Sequence, residues 1–373
     1  MDFEFSEEIN KARERAREFA LTAITPEIAR KYDLEEKFPE EVWKKAMASK
    51  MVDFSNPWSM LVTIEELCRV DPGIGIAATV SLFGSEVLML FASDQLKEKY
   101  LKPVQEGQAI MGLAVTEPGG GSDVAGLKTE AKLKDGKYVI NGSKMFITNG
   151  QIADFFVMLL RTSRPDSKRH HGLSVLVVEG NLKGFSRNKL TGKLGVRATN
   201  TAELILNNVE VPATNLVGDE GKGFYYIMTF FNISRAYVAA QSIGIAQGAL
   251  DHVLEYLKGL KESGRESEIS EDTQFTLSDI ATRIEASRLL TYKAASYLFN
   301  FQPKPEITSM AKAYASETAV FACEKAMEIT GETGLYGDLE RFLRDSKIME
   351  IWEGTSEIEK LVIARTFLKG GQM

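Results

Sequence analysis

The most informative stretch of this 373-residue sequence runs from Leu113 to Gly150 and reads LAVTEPGGGSDVAGLKTEAKLKDGKYVINGSKMFITNG. Its pairs Asp135-Gly136, Asn141-Gly142 and Asn149-Gly150 are typical of type I′ turns, in which both central residues need φ > 0. The short β-rich segments between these pairs predict an antiparallel meander.

A Gly-rich polar loop, Thr116 to Asp123, opens this meander. Three consecutive glycines leave backbone N–H groups unshielded, and Thr116 and Ser122 add hydroxyls, so the loop is able to wrap a polar, anionic or heteroaromatic ligand closely. On local chemistry alone, an ordinary surface turn is the simpler interpretation. The spacing matches neither the GxGxxG dinucleotide fingerprint nor the P-loop, so neither of those folds is predicted.

Composition limits the possible partners. The 45 Lys and Arg against 52 Asp and Glu give a net charge of −7, and without a basic stripe we expect no nucleic-acid partner. Only two cysteines, Cys68 and Cys323, and three histidines are present, so we predict neither a disulfide framework nor a metal site. The N-terminal segment is acidic, and no uninterrupted apolar run approaches the roughly 20 residues that span a bilayer. We therefore expect no membrane segment and a cytoplasmic location.

The spacing of apolar residues divides the chain into three predicted domains. Residues 1–110 show helical spacing, residues 111–217 show strand spacing, and residues 218–373 show the spacing of long amphipathic helices, so the fold is expected to be mainly α with a central β domain. The elements predicted are helices at 38–51, 62–70, 75–91, 224–261, 274–299 and 306–330, and strands at 155–160, 173–178 and 202–211. Small residues within 239–249 permit close helix packing, and the surplus of apolar helix faces predicts an oligomer.

One carboxylate near the C-terminus has the surroundings of a general base. Ser356 and Glu359 have capping-box spacing, which predicts a helix beginning at about Glu357 and leaves Glu353 in the preceding turn beside Trp352. Apolar surroundings raise the pKa of a carboxyl, whereas a nearby helix N-terminus lowers it, and the combination suits a base of moderate strength. From the residues alone, a solvated glutamate at a helix start is the simpler interpretation.

The segments VTEPGGGSDVAG, INGSKMFITNG and RDSKIMEIWEGTSEIEK resemble the signatures of the acyl-CoA dehydrogenase family, and the resemblance extends over nearly the whole chain. It implies an N-terminal helical domain, a middle antiparallel β domain and a C-terminal four-helix bundle, assembled as a homotetramer. It also implies FAD as cofactor, an acyl-CoA substrate of fatty-acid metabolism, and a separate electron acceptor such as an electron-transfer flavoprotein.

The resemblance also implies roles for individual residues. Glu353 matches the position of the catalytic base that removes the α-proton of the acyl thioester while the β-hydrogen leaves as hydride to the flavin. The residues implied to bind the cofactor are Leu113, Val115, Thr116, Gly121, Ser122, Phe146, Ile147, Thr148, Gln274, Glu328, Gly331, Thr355 and Glu357. Those implied to bind the substrate are Ser122, Asn232, Arg235 and Gly354.

The sequence departs from the family pattern where the FAD diphosphate is expected. The family's Arg-x-x-Phe-Gly segment is replaced by the run LKESGRE at 260–266, with Gln274 as the only later match. The family's Gln-x-x-Gly-Gly reads Glu328-Ile329-Thr330-Gly331-Glu332 here, which adds two carboxylates. Two alternatives therefore stay open beside a dehydrogenase: an acyl-CoA oxidase that uses oxygen, and a non-catalytic scaffold with weakened FAD binding.

The position of the base distinguishes branches of the same family. Some branches carry their catalytic glutamate on the channel-lining helix, one residue before its arginine. That position is Ser234 in this chain. A serine does not take an α-proton unaided, so the resemblance selects Glu353 as the base.

Overall fold

The computed structural model describes residues 5–52 and 56–370, and its first third is helical. Side chains of Ser6, Thr25, Asn56, Asp71 and Ser93 accept hydrogen bonds from backbone N–H groups three residues on, which caps five of the helices. The helices are α1 (Glu7–Ala23), α2 (Pro26–Glu35), α3 (Glu40–Ala48), α4 (Pro57–Val70), α5 (Pro72–Thr79), α6 (Ser85–Phe91), α7 (Asp94–Leu96) and α8 (Lys102–Gln105), with a π-helical turn between the last two.

The single helix predicted at 75–91 is wrong. A 3₁₀ turn, Val80–Leu82, follows α5, and Gly84 then adopts φ 97° at the start of α6, a conformation that side chains with a Cβ rarely take. By length and composition alone the stretch Pro72–Phe91 could cross a membrane, but 78% of it is buried inside the protein. It therefore belongs to the interior of the helical domain.

An eight-stranded sheet follows, in the order β6-β7-β3-β2-β4-β5-β8, with β1 paired to β4. Its strands are β1 (Met111–Ala114), β2 (Glu130–Lys134), β3 (Lys137–Thr148), β4 (Phe155–Arg161), β5 (Leu173–Glu179), β6 (Phe185–Lys189), β7 (Thr201–Pro212) and β8 (Leu216–Val217). One face, including Val157 and Val175, joins the apolar core shared with the helices. The opposite face, including Phe156 and Leu204, forms a smaller core of its own.

The antiparallel meander predicted for 113–150 is only partly correct. Asp135-Gly136 does form the turn between β2 and β3, with φ of 49° and 75°. Asn141-Gly142 instead lies inside β3, where the register shifts opposite β7. A Cβ on Gly142 would come within 2.8 Å of the Thr129 Cα, so glycine is needed there for close approach. Strand β1 pairs in parallel with β4, which makes the sheet mixed.

Helices of the C-terminal third complete the fold. They are α9 (Gly223–Glu262), α10 (Glu271–Phe299), α11 (Pro305–Thr330), α12 (Glu332–Tyr336), α13 (Leu339–Ser346) and α14 (Ser356–Leu368). A Cβ on Gly244 or Gly248 of α9 would come 2.3 Å from the carbonyl oxygens of Glu65 and Arg69 on α4, so the predicted close packing is confirmed. The mainly helical fold with a central β domain is confirmed as well. The packing holds α9 against both α4 and the sheet, with its middle section in the interior.

Candidate active site

The Gly-rich loop leaves the end of β1 and is open to solvent. Ideal Cβ positions on Gly119 and Gly120 meet no atom within 4 Å. The loop turns back on itself through a hydrogen bond from the Gly120 N–H to the Glu117 carbonyl, 3.0 Å. It is joined to β3 by the Met145 N–H, which donates to the Thr116 carbonyl at 2.9 Å. A groove of about 330 Å³ runs beside it. The loop thus combines an accessible backbone with a firm attachment to β3.

The attachment of the loop to the sheet depends on a buried ion pair that was not predicted from the sequence. Lys144 Nζ lies 3.0 Å from Glu117 Oε1, and its side chain is fully buried. The Glu117 carboxylate also accepts the N–H groups of Lys128 and Thr129, at 2.7 and 2.8 Å. Burial alone would raise the pKa of Glu117, but the Lys144 charge and these hydrogen bonds lower it overall. Burial lowers the pKa of Lys144 to about 8, so we assign both groups as charged at neutral pH.

The residues predicted to line the flavin lie on both sides of this loop. Leu113 and Val115 are buried on the sheet face that meets the helices. Gly121 and Ser122 are exposed in the loop. Thr116 and Thr148 are half-buried, and Phe146 is 68% exposed at φ 60°. Ile147 differs, because its side chain packs into the core on the opposite face of the sheet. Any contact of Ile147 with a flavin is therefore made by its backbone.

The turn before α14 has an unusual backbone. Glu353 adopts φ 55° and Gly354 φ 110°. Thr355 caps α14, since its Oγ1 accepts the Ile358 N–H at 3.4 Å. The capping box predicted for Ser356 and Glu359 is wrong: the Glu359 carboxylate faces Arg235 of α9 at 3.0 Å instead of returning to the helix start. Left-handed backbone at a non-glycine residue is characteristic of functional sites, where surrounding contacts hold the strain.

The carboxyl of Glu353 faces α9. Its Oε2 accepts a hydrogen bond from the Ser234 hydroxyl at 2.5 Å. Burial raises the pKa of Glu353 to about 7, although the Ser234 hydrogen bond and the Arg235 charge oppose the rise. A carboxyl with this pKa is available as a base at neutral pH and holds its proton once it has taken it. Ser234 occupies the position at which some branches of the resembled family carry their catalytic glutamate. In this chain its hydroxyl contacts Glu353 instead.

Two buried cations hold the turn around Glu353. The Arg235 Nε donates to the Glu353 carbonyl at 3.1 Å and pairs with Glu359. The Lys312 Nζ donates to the Gly354 carbonyl at 2.6 Å, and burial lowers the pKa of Lys312 to about 8. Gly354 has φ 110°, and a Cβ there would lie 2.0 Å from Glu359 Oε1, so glycine is favoured at this position. Arg235 was predicted to bind substrate, but the structure places its guanidinium within this internal network.

The other substrate contact predicted on α9, Asn232, is half-buried on the same helix, two residues before Ser234. Lys312 was not predicted as a site residue, because the sequence around a buried lysine in an alanine-rich helix looks the same as that around a solvent-exposed lysine. Glu357, predicted to touch the cofactor, is exposed in the first turn of α14. Glu353 and Gly354 therefore lie where α9 meets the turn before α14, and Asn232 lies on the same helix α9.

The groups around this turn fit the isoalloxazine end of a flavin. The buried indole Nε1 of Trp352 and the buried hydroxyl of Ser356 have no hydrogen-bond partner among the described residues. Buried polar atoms without protein partners indicate a ligand or water in native structures. A flavin ring carries both acceptors and a donor for such groups, and the open Gly-rich loop supplies further backbone N–H donors.

The residues predicted near the FAD diphosphate do not fit as well. Gln274, Glu328 and Gly331 are all exposed on the C-terminal helices, and Glu332 is exposed beside them. Glu328 pairs with Lys325 at 2.6 Å, so part of its charge is compensated locally. The region supplies carboxylates where phosphates need cationic or N–H donors.

Comparison with known proteins identifies the family of this chain. Family models described as "Acyl-CoA dehydrogenase" match the chain in three parts: the N-terminal domain at residues 6–108, the middle domain at 112–209 and the C-terminal domain at 221–368. The chain is 38% identical to the short-chain specific acyl-CoA dehydrogenase of Clostridium acetobutylicum, over 98% of this chain and 99% of the relative. It is 35% identical to the CarC subunit of the caffeyl-CoA reductase–Etf complex of Acetobacterium woodii, over 98% of this chain and 99% of that relative.

Among solved structures, butyryl-CoA dehydrogenase from Megasphaera elsdenii superposes with a TM-score of 0.92 at 31% identity, covering 99% of this chain and all of that one. The resemblance noted in the sequence is thereby confirmed in all three regions of the fold. This chain belongs to the acyl-CoA dehydrogenase family of FAD-dependent enzymes.

Proposed function

We propose that the chain oxidises a short-chain acyl-CoA thioester to its 2-enoyl-CoA, with Glu353 as the base, and passes the electrons to an electron-transfer flavoprotein. The observation that carries this proposal is the Glu353 carboxyl, which is held by Ser234 and has its pKa raised by burial to about 7. The names of the Clostridium and Megasphaera relatives support a short acyl chain in the substrate. The name of the Acetobacterium relative supports an electron-transfer flavoprotein as the partner.

Each residue of the turn has a defined task in this reaction. FAD, when bound, would supply the acceptor for the hydride that leaves the β-carbon. Glu353 takes the α-proton onto its carboxyl, and Ser234 keeps that carboxyl aimed at one place. Arg235 and Lys312 fix the backbone of Glu353 and Gly354, so the base does not drift between turnovers. The Gly354 N–H is the proposed contact to the thioester end.

The remaining cofactor contacts are part of the same proposal. Leu113, Val115, Thr116, Phe146 and Thr148 are assigned to the isoalloxazine face, with Ile147 contributing backbone only. The loop residues Gly121 and Ser122, with Thr355 and Glu357 at the start of α14, are assigned to the rest of the flavin mononucleotide part. The geometry of the loop and the unpartnered Trp352 indole support this arrangement.

We also propose a homotetramer in the cytoplasm. Exposed apolar side chains on the C-terminal helices, including Phe275, Leu335 and Tyr336, need covering. Gln274, Glu328 and Gly331 would then meet the cofactor of a neighbouring subunit rather than their own. Both cysteines, Cys68 and Cys323, are buried free thiols, which agrees with a reducing compartment.

Anaerobic reduction of the flavin by butyryl-CoA tests the proposed reaction. The yellow holoenzyme is expected to bleach, and the reduction rate should rise about tenfold per pH unit below pH 7 and level off above it. The sign follows from the base, which acts only as a carboxylate and is protonated below its pKa of about 7. A flavin-loaded protein that butyryl, hexanoyl and branched acyl-CoA thioesters all fail to bleach would support the scaffold alternative.

Replacing Glu328 with Gln should improve FAD retention. A like charge near phosphates in a solvated site weakens binding modestly, so we expect the FAD dissociation constant to fall about two- to fivefold in this variant. Equilibrium dialysis of the tetramer measures it. Glu317→Gln is the matched control, because Glu317 also lies on α11 and pairs with a lysine, Lys360, at 2.8 Å. Equal retention in the two variants would contradict the placement of Glu328 at the diphosphate.

A further inference from the structure

A second buried carboxyl lies near Glu353 and takes no part in the reaction described above. Glu86, on α6, is 6% exposed, and its Oε2 has no hydrogen-bond partner among the described residues. The hydroxyls of Ser81 and Ser85 are fully buried and equally without partners there. Three such atoms within six residues stand in an otherwise apolar stretch. An unsatisfied buried polar group costs free energy, and a leucine or methionine would avoid that cost.

The segment that carries Glu86 is held against the flavin-facing strand. Asn149 Nδ2 donates to the carbonyls of Val80 and Met111, at 2.8 and 2.9 Å, and so joins the 3₁₀ turn to β1. A Cβ on Gly84 would lie 3.1 Å from the Leu113 Cβ. On its other side the segment meets α9, where Phe83 and Phe230 make an edge contact with ring centroids 5.1 Å apart.

The proposed base Glu353 acts electrostatically on Glu86. Burial raises the pKa of Glu86 to about 8, the N–H groups of Glu86 and Gly84 oppose the rise, and the charge of Glu353 adds to it. Burial raises the pKa of Tyr237 as well, and the charge of Glu86 contributes. Tyr237 follows Ser234 by three residues, about one helical turn of α9. The segment that carries Glu86 therefore packs between β1 and α9, and Glu86 itself feels the charge of Glu353.

Burial and the charge of Glu353 both disfavour ionisation of Glu86. The base must be a carboxylate to act, so Glu86 is the partner that keeps its proton. A neutral carboxylic acid is a hydrogen-bond donor, and inside a dry pocket its O–H needs an acceptor.

We propose that Glu86 is a specificity-determining residue that donates a hydrogen bond to an oxygen on the acyl chain beyond the β-carbon. The substrate class is then acyl-CoA thioesters that carry a carbonyl or hydroxyl oxygen on the chain, in preference to plain alkyl thioesters. This inference rests on the proposed function and narrows its substrate.

Matched substrate pairs test the inference. The probes are 4-oxopentanoyl-CoA against pentanoyl-CoA and 5-oxohexanoyl-CoA against hexanoyl-CoA, which differ only by a carbonyl oxygen in place of two hydrogens. With the holoenzyme and an artificial electron acceptor, we expect kcat/KM to favour at least one oxo substrate by about tenfold or more, mainly through KM. Turnover of the plain thioesters without any oxo preference would overturn the inference and leave the proposed function intact. Reduction by none of the four would count against both.

Two variants separate the hydrogen bond from the shape of the pocket. Glu86→Gln keeps a donor of the same size, so the oxo preference should be retained within about threefold. Glu86→Met removes the donor at similar length, so the preference should fall to about one while kcat/KM for the plain thioester is kept or raised. A preference that survives in Glu86→Met overturns the inference. Because the parent and Glu86→Gln are informative alone, failure of the Met variant to fold does not remove the test.

Discussion

Replacing Glu353 with Gln is expected to slow flavin reduction by butyryl-CoA about a hundred- to ten-thousand-fold, because the amide has nearly the same shape as the carboxylate but does not accept the α-proton. The Ser234 hydroxyl still has an oxygen to donate to, and the backbone contacts from Arg235 and Lys312 do not involve the changed side chain. FAD content and acyl-CoA binding should therefore be preserved. Stopped-flow absorbance under anaerobic conditions measures the rate.

Glu350→Gln is the control for this result, since Glu350 lies three residues earlier and is paired with Lys347 outside the site; it should reduce at the parental rate. Reduction of Glu353→Gln at that same rate would exclude Glu353 as the base.

A transplanted base gives a second test of the same geometry. Glu353→Gly should be as slow as Glu353→Gln and should fold well, because the residue has φ 55°, which glycine adopts without strain. Adding Ser234→Glu places a carboxyl on α9 at a position whose present side chain reaches within 2.5 Å of Glu353 Oε2. Partial recovery of flavin reduction in the double variant is expected. No recovery in a folded, flavin-loaded double variant would show that the two positions do not share one channel.

Replacing Lys144 with Met should lower the free energy of unfolding by about 3–5 kcal/mol, because it leaves the buried Glu117 carboxylate without its cation. The same change releases the Gly-rich loop, since Glu117 holds both the loop and the N–H groups of Lys128 and Thr129. We therefore expect faster proteolytic cleavage within the loop as well. Urea denaturation with an unchanged m-value checks the stability.

Lys132→Met is the matched control for Lys144→Met. Lys132 lies on the neighbouring strand β2 and pairs with Glu130 at 2.7 Å, but its side chain is 73% exposed. Exposed pairs contribute little, so the loss should stay below about 1 kcal/mol. Equal losses in the two variants would mean that burial does not decide the effect and would refute the supporting role assigned to Lys144.

Local patterns in the sequence were enough to predict the long helices, the family and the reaction class. The long helices of the C-terminal third were predicted to within a few residues, because amphipathic spacing and caps are local properties. The signature segments identified the family and, with it, the reaction class, and they predicted Glu353 as the base. The turn at Asn141-Gly142 was predicted wrongly because an Asn-Gly pair suits a bulge inside a strand as well as a hairpin, and only the partner strand decides between them.

Tertiary structure alone decided how the site is held and tuned. Ser234 and Glu353 are 119 positions apart, and Glu117 and Lys144 are 27 apart, so no local pattern reveals either contact. In the sequence, Glu86 is noticeable only as an acidic residue within an apolar stretch. Its proposed role follows from the packing of α6 between β1 and α9. Burial sets the pKa values of both Glu86 and Glu353. Burial is a property of the assembled fold: the sequence specifies which groups can ionise, and the packing around them determines how strongly each one holds a proton.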